Sequence, residues 1–201
     1  MAESDDALST SRRLSNLSAV ARLLSQAISE GDGISVIAHV ATLDEARAAQ
    51  AQGAEALAIS TLLPGLRDAT TLPILWRGGA DWERAGTAGA DAVVVAGDEY
   101  HDGFEIVVSV SNEETLAELL EQLDPEIFLL CASKDDEPDL DEVFEAVLDL
   151  LPDVPAGKLA IAEVAVRTRE EVEALERAGM DAVLVEGGDV AALVGGTPPE
   201  V

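Results

Sequence analysis

The segment EARAAQAQGAEALAIS, residues 45–60, returns in pattern as ERAGTAGADAVVVAG at 83–97 and as EALERAGMDAVLVEG at 173–187. Each copy reads as a helix closed by a glycine (Gly53, Gly89 or Gly179), a short turn with Ala or Met and an acidic residue, and then a buried strand. A glycine in that place escapes the Cβ clash of the left-handed conformation, so all three are read as helix caps without chemistry of their own. Helix, turn and strand repeated in this order is the pattern of a parallel sheet with helices outside it.

Working outward from the repeat, β-rich runs alternate with amphipathic ones along the chain. Eight strands are expected: Ser35 to Val40, Ala56 to Ser60, Ile74 to Trp76, Ala92 to Ala96, Glu105 to Val110, Ile127 to Cys131, Leu159 to Val164 and Ala182 to Val185. Helices are expected at Thr42 to Gln52, Asp81 to Ala88, Asn112 to Gln122, Leu140 to Leu151, Arg169 to Arg177 and, briefly, Asp189 to Leu193. Only LLPGLRDATT follows the second strand and only GDEYHDG the fourth, so helices two and four should be vestigial or missing. A gap of that kind leaves strand faces for a second copy or a partner enzyme to cover.

The fold class read from this order is α/β, a shortened (β/α)8 TIM barrel, with ~250 residues being the usual length of that architecture. An open doubly wound sheet is the alternative, but VIAHVATLDEA (36–46) offers no glycine for a phosphate turn after the first strand. Residues 1–30 read as an N-terminal extension whose helix, over Asn16 to Ser29, plugs or flanks the barrel. Residues 31–201 read as one barrel domain.

The chain carries 40 acidic residues against 12 basic ones, a formal charge of −28, and its only lysines are Lys134 and Lys158. Self-repulsion at such a charge loosens a compact chain in dilute buffer, whereas molar salt, with a Debye length of ~3 Å, screens it. The composition therefore reads as halophilic, adapted to a salt-rich cytoplasm. With no basic run to neutralise phosphates, nucleic acid and anionic membrane are excluded as partners. The single cysteine, Cys131, rules out an internal disulfide and lies in an apolar run, where a buried core thiol is expected. No secretory h-region opens the chain and no apolar run has membrane-spanning length, so a cytoplasmic location is expected. Neither a zinc spacing nor a nucleotide fingerprint occurs, and no metal or other cofactor is expected.

Read at the C-terminal strand ends, where β/α barrels keep their working groups, the stretch from Ser35 to Val201 resembles indole-3-glycerol phosphate synthase. That family closes the indole ring in tryptophan biosynthesis with loss of carbon dioxide and water. The likeness is carried by RDATTLPILWRGGADWERAGTAGADAVVV (67–95), VVSVSNEETL (107–116), LAIAEVAVRTREEVEALERAGMDAVLVEGG (159–188) and ALVGG (192–196), in the family's order and spacing. It implies a carbon–carbon lyase on a phosphate-binding barrel.

The chain departs from the family where the chemistry is done. In place of Glu-Ile-Lys after strand one stands His39-Val40-Ala41, without the substrate-holding lysine. In place of Lys-Asp-Phe after strand three stands Arg77-Gly78-Gly79, and an arginine, with a pKa above ~12, is a poor proton donor at neutral pH. Val-Glu-Val-His becomes Val108-Ser109-Val110-Ser111, Asn-Asn-Arg becomes Cys131-Ala132-Ser133, and of Glu-Ser-Gly only Glu163 persists in Glu163-Val164-Ala165. On the phosphate side, Glu186-Gly187-Gly188-Asp189 keeps glycines for close backbone approach and a helix start, but adds two carboxylates.

The resemblance thus implies a barrel of that type in which authentic ring closure is not expected. Its catalytic candidates are Glu163, Arg77 and His39, at the ends of strands seven, three and one, where they can face one mouth. Its candidates for binding a phosphorylated small molecule are Gly187, Gly188, Ser109, Ser133 and Trp76. Two other readings stand beside it: a pseudoenzyme that binds a phosphometabolite or a partner enzyme, and another small phosphosugar lyase or isomerase built on His39, Arg77 and Glu163.

Several of these residues also have plainer roles. His39 suits a hydrogen-bonded histidine at the mouth, and His101, within Asp98-Glu99-Tyr100-His101-Asp102, suits a solvated loop without calcium-loop spacing. Trp76 either stacks beside Arg77 on an anionic aromatic substrate or fills space left by the missing helices. Lys134, next to Asp135, Asp136 and Glu137, reads as a charged, solvated ammonium.

Overall fold

Where each helix stops and each strand starts is set by the repeated turn. In the computed structural model, which describes residues 22–31, 33–132 and 140–194, Gly53, Gly89 and Gly179 have φ of 98°, 69° and 105°. These are left-handed values that a side chain would strain. The acidic residue of the turn has a purpose the pattern alone does not reveal. Asp91 accepts a hydrogen bond at 2.8 Å from the amide of Ile74, and Asp181 accepts one at 2.8 Å from the amide of Ala160. Each carboxylate thereby fastens the foot of its own strand to the strand before it.

Eight parallel strands follow from these turns: β1 Ser35–His39, β2 Ala56–Ile59, β3 Ile74–Trp76, β4 Ala92–Val95, β5 Glu105–Val110, β6 Ile127–Cys131, β7 Leu159–Glu163 and β8 Ala182–Glu186. They close in chain order into a barrel, with β8 returning to β1 in a register that runs from Ser35 opposite Ala182 to His39 opposite Glu186. The fold is the TIM barrel expected, and no strand end differs from its expected place by more than one residue.

The helices are α1 Leu23–Glu30, α2 Leu43–Ala51, α3 Leu66–Ala69, α4 Trp82–Ala88, α5 Glu113–Gln122, α6 Leu140–Leu150, α7 Arg169–Ala178 and α8 Val190–Val194. Local chemistry fixes their starts. Thr42 with Glu45 and Thr168 with Glu171 form reciprocal capping boxes on α2 and α7. Asp81 and Asn112 cap α4 and α5 through their side chains.

Strand alternation splits the core in two. Ile37, Ala58, Leu75, Val107, Leu129, Ile161 and Leu184 fill the barrel interior, while Ile59, Ile74, Trp76, Val93, Val108, Phe128 and Val183 pack outward beneath the helices. The shortened ring matches expectation: α3 is a single turn of 4 residues, and 96–104, after β4, contain no helix. In that gap Trp82 stacks on His101 at 5.2 Å and on Phe104 at 6.1 Å between ring centroids. His101 is thus part of an aromatic patch and not merely a loop residue. Beside the patch lies a groove of about 520 Å³, floored by Phe104, Ile106 and Val108 and rimmed by Glu99, Asp102, Asp124 and Glu126.

The first described helix, α1, covers the second half of the helix expected over Asn16 to Ser29, and the part of that expectation before residue 22 lies outside the described residues. Its Leu24 and Ile28 belong to the interior cluster, and its first amides meet Glu105, the residue that opens β5. Leu24 donates to Oε1 at 2.7 Å and Ser25 to Oε2 at 3.1 Å. Helix α1 therefore plugs the barrel at the N-terminal end of its strands, opposite the mouth.

Candidate functional site

Carrying the inward alternation two residues past Ile37, Ala58, Leu75, Val107, Leu129, Ile161 and Leu184 reaches His39, Ser60, Arg77, Ser109, Cys131, Glu163 and Glu186. These seven residues crown the C-terminal mouth, where barrel enzymes place their chemistry. Five of them join in one run of contacts. The His39 ring meets Ser60 Oγ at 3.0 Å through Nε2 and Glu186 Oε2 at 2.9 Å through Nδ1. Glu186 Oε1 lies 3.6 Å from Arg77 Nη1, and Arg77 Nη2 donates to Glu163 Oε1.

The cluster joins two carboxylates, one guanidinium and one imidazole. Arg77, whose side chain is 17% exposed, is the most enclosed of the three ionic groups, against 28% for Glu163 and 73% for Glu186. The outer carboxylate, Glu186, is the more solvated one, and Arg77 with Glu163 is the more enclosed pair. A guanidinium spanning two carboxylates is a fixed positive centre, and an imidazole with a carboxylate on Nδ1 and a hydroxyl on Nε2 is an acid–base group.

The three catalytic candidates His39, Arg77 and Glu163 are thus brought together, as expected. Ser109 turns to the same mouth, where its Oγ lies 3.5 Å from Cys131 Sγ. Cys131 also donates to the Val110 carbonyl at 3.4 Å, and it is half-buried at the end of β6 instead of sealed in the core. Trp76 does not join Arg77. Adjacent residues on a strand face opposite ways, and the indole is 2% exposed in the outer layer, so joint stacking on a substrate is replaced by the space-filling role. Ser133 and Lys134 lie outside the described residues.

The β8–α8 loop is built differently from a bare phosphate cradle. A Cβ on Gly187 would lie 3.0 Å from the His39 carbonyl, so this glycine lets two strand ends cross closely. At the start of α8 the amide of Val190 donates to Gln52 Oε1 at 3.0 Å. Gly188 stays exposed beside it. Sequence reasoning missed Ser60 and valued Glu186 only as unwelcome charge near the loop. The signal that finds both is the period of two, continued past the last apolar inward residue of β2 and β8.

No protein-family model matches the chain. It is similar to an indole-3-glycerol phosphate synthase from Geobacillus sp. (strain WCH70), at 26% identity over 167 residues, covering 70% of this chain and 64% of that protein. The chain therefore spans less than two thirds of the relative it matches. What sequence likeness and geometry jointly support is a closed eight-stranded TIM barrel with a distant likeness to indole-3-glycerol phosphate synthase, carrying a cluster of titratable and charged side chains at the C-terminal ends of its strands.

Proposed function

We propose that this barrel binds a small phosphorylated metabolite at its mouth and moves a proton on it, as a phosphosugar isomerase or lyase of the indole-3-glycerol phosphate synthase type that no longer performs ring closure. The observation that carries the reading is the contact run His39, Glu186, Arg77 and Glu163 across the mouth. Arg77 supplies the positive centre for a developing enolate or for a substrate oxygen. Glu163 and His39 supply a carboxylate and an imidazole on either side of it, the pair that proton abstraction beside a carbonyl requires. The ring-closing reaction depends in the resembling family on a lysine acid, and arginine at that position withholds its proton.

The test is purified protein in molar potassium chloride, offered the indole-forming substrate and, separately, a set of ketose and aldose phosphates in deuterated water. The expected outcome is no indole-glycerol fluorescence and solvent deuterium entering at least one sugar phosphate. Glu163→Gln should slow that exchange by a factor of about 100, and Arg77→Ala should slow it at least as much. Appearance of indole-glycerol fluorescence would instead establish ring closure on a rebuilt site.

A second reading, a non-catalytic barrel covered by a partner, rests on the groove that replaces the fourth helix. It predicts a dimer or larger complex in scattering measurements and no deuterium exchange with any sugar.

A further inference from the structure

The geometry points to a second chemistry at the same mouth that does not depend on the proton-transfer reading. We propose that Ser60, His39 and Glu186 form a nucleophilic triad that cleaves small, uncharged carboxylic esters through an acyl-serine intermediate. The three come from adjacent strands: β1 lies between β2 and β8, and its last residue, His39, pairs in register with Ala58 on one side and Glu186 on the other. The imidazole is held at both nitrogens, by Glu186 at 2.9 Å and Ser60 at 3.0 Å.

Tautomer logic assigns the roles. A carboxylate only accepts, so Nδ1 carries the hydrogen, and in the neutral ring Nε2 is then the bare nitrogen. Ser60 therefore donates its hydroxyl hydrogen to Nε2, the orientation in which an imidazole activates a hydroxyl. Ser60 is exposed while the imidazole is three-quarters covered, so the nucleophile faces solvent and the base is held behind it. Arg77 follows β3, whose Trp76 is in register with Ile59. The residue after each is Arg77 and Ser60, which sets Arg77 at the strand position beside the serine and makes its guanidinium the partner we assign to an oxyanion formed there. Arg77 is already paired with Glu163 and Glu186, so the ester reaction calls for no charged group on the acyl chain and the substrate class is neutral.

The step balances without a cofactor. Ser60 Oγ bonds to the ester carbonyl carbon as its proton passes to His39 Nε2, and the carbonyl electron pair moves onto oxygen. The adduct collapses with cleavage of the bond to the alcohol oxygen, which takes the proton back from Nε2. Water then repeats both stages on the acyl-serine, releasing the acid. Glu186 touches only the imidazole and is a positioning residue.

The experiment uses the whole chain in molar potassium chloride, with p-nitrophenyl acetate for turnover and diisopropyl fluorophosphate for labelling. The expected result is one adduct per chain, located by mass spectrometry in the tryptic peptide 48–67, whose single serine is Ser60. Ser60→Ala and His39→Ala should each lose the label and at least about 100-fold in hydrolysis. Glu186→Gln should lower kcat at least about tenfold and leave KM unchanged, a split that mere loosening of the mouth does not give. A label on any other residue, hydrolysis by Ser60→Ala at the parent rate, or a protein folded by circular dichroism that takes no label overturns the proposal. The proton-transfer reading is judged apart from this by Glu163→Gln, a residue the triad does not use.

Discussion

At Gly78 the absence of a side chain is what lets the chain pass over the outer-layer indole of Trp76. A Cβ there would enter the ring of Trp76, meeting Cζ2, Cε2 and Nε1 inside van der Waals contact, and the indole, 2% exposed and packed among the outer-layer residues, has nowhere to swing. Gly78→Ala should therefore cost about 1–3 kcal/mol of stability. Gly79→Ala meets nothing within 4 Å but must hold φ at 72°, and should cost about 1 kcal/mol from backbone strain alone. Urea midpoints of the two variants in molar potassium chloride check the order, and equal losses would mean that the indole yields. At this scale the sequence disclosed Arg77, His39 and Glu163, since each ends a strand with a group able to do chemistry. It hid Ser60 and Glu186, because neither residue type is unusual at a strand end. Their meaning lies in partners 21 and 147 residues away in the chain.

Among the elements, α1 depends most on a distant group. It has no side-chain cap of its own, and Glu105 supplies both hydrogen bonds to its first turn from the start of β5. Glu105→Ala should release the helix from the floor of the barrel and leave buried amides without partners, a loss of about 1–3 kcal/mol. Limited proteolysis within Leu23–Glu30 should follow. Unchanged stability and protection would mean that Leu24 and Ile28 hold the helix unaided. The apolar spacing of this helix was legible, as were all eight strands, the single-turn α3 and the missing fourth helix, because glycine caps and hydrophobic runs are local signals. The trans cap was not, since a glutamate opening a strand looks like any other surface acid until the ring is closed. The carboxylates of the repeat were likewise visible as a pattern and became explicable only when Asp91 and Asp181 were found on neighbouring amides.

Over the whole molecule a formal charge of −28 is spread over 201 residues, and the self-repulsion of such a charge works against the compact state. Raising potassium chloride from about 0.1 M to about 1 M shortens the Debye length from ~10 Å to ~3 Å, and the melting temperature should climb steeply over that interval. A flat melting curve across it would mean that the carboxylates are spaced widely enough to ignore one another. The plugged base has a temporal consequence as well. Leu24 and Ile28 of α1 join an interior cluster that takes side chains from every strand of the ring, and the helix's amide partner Glu105 lies 81 residues downstream of Leu24. During synthesis from the N-terminus, this helix leaves the ribosome before the strands and cannot find its place until they have met. A segment synthesised before every strand is thus among the last to be seated.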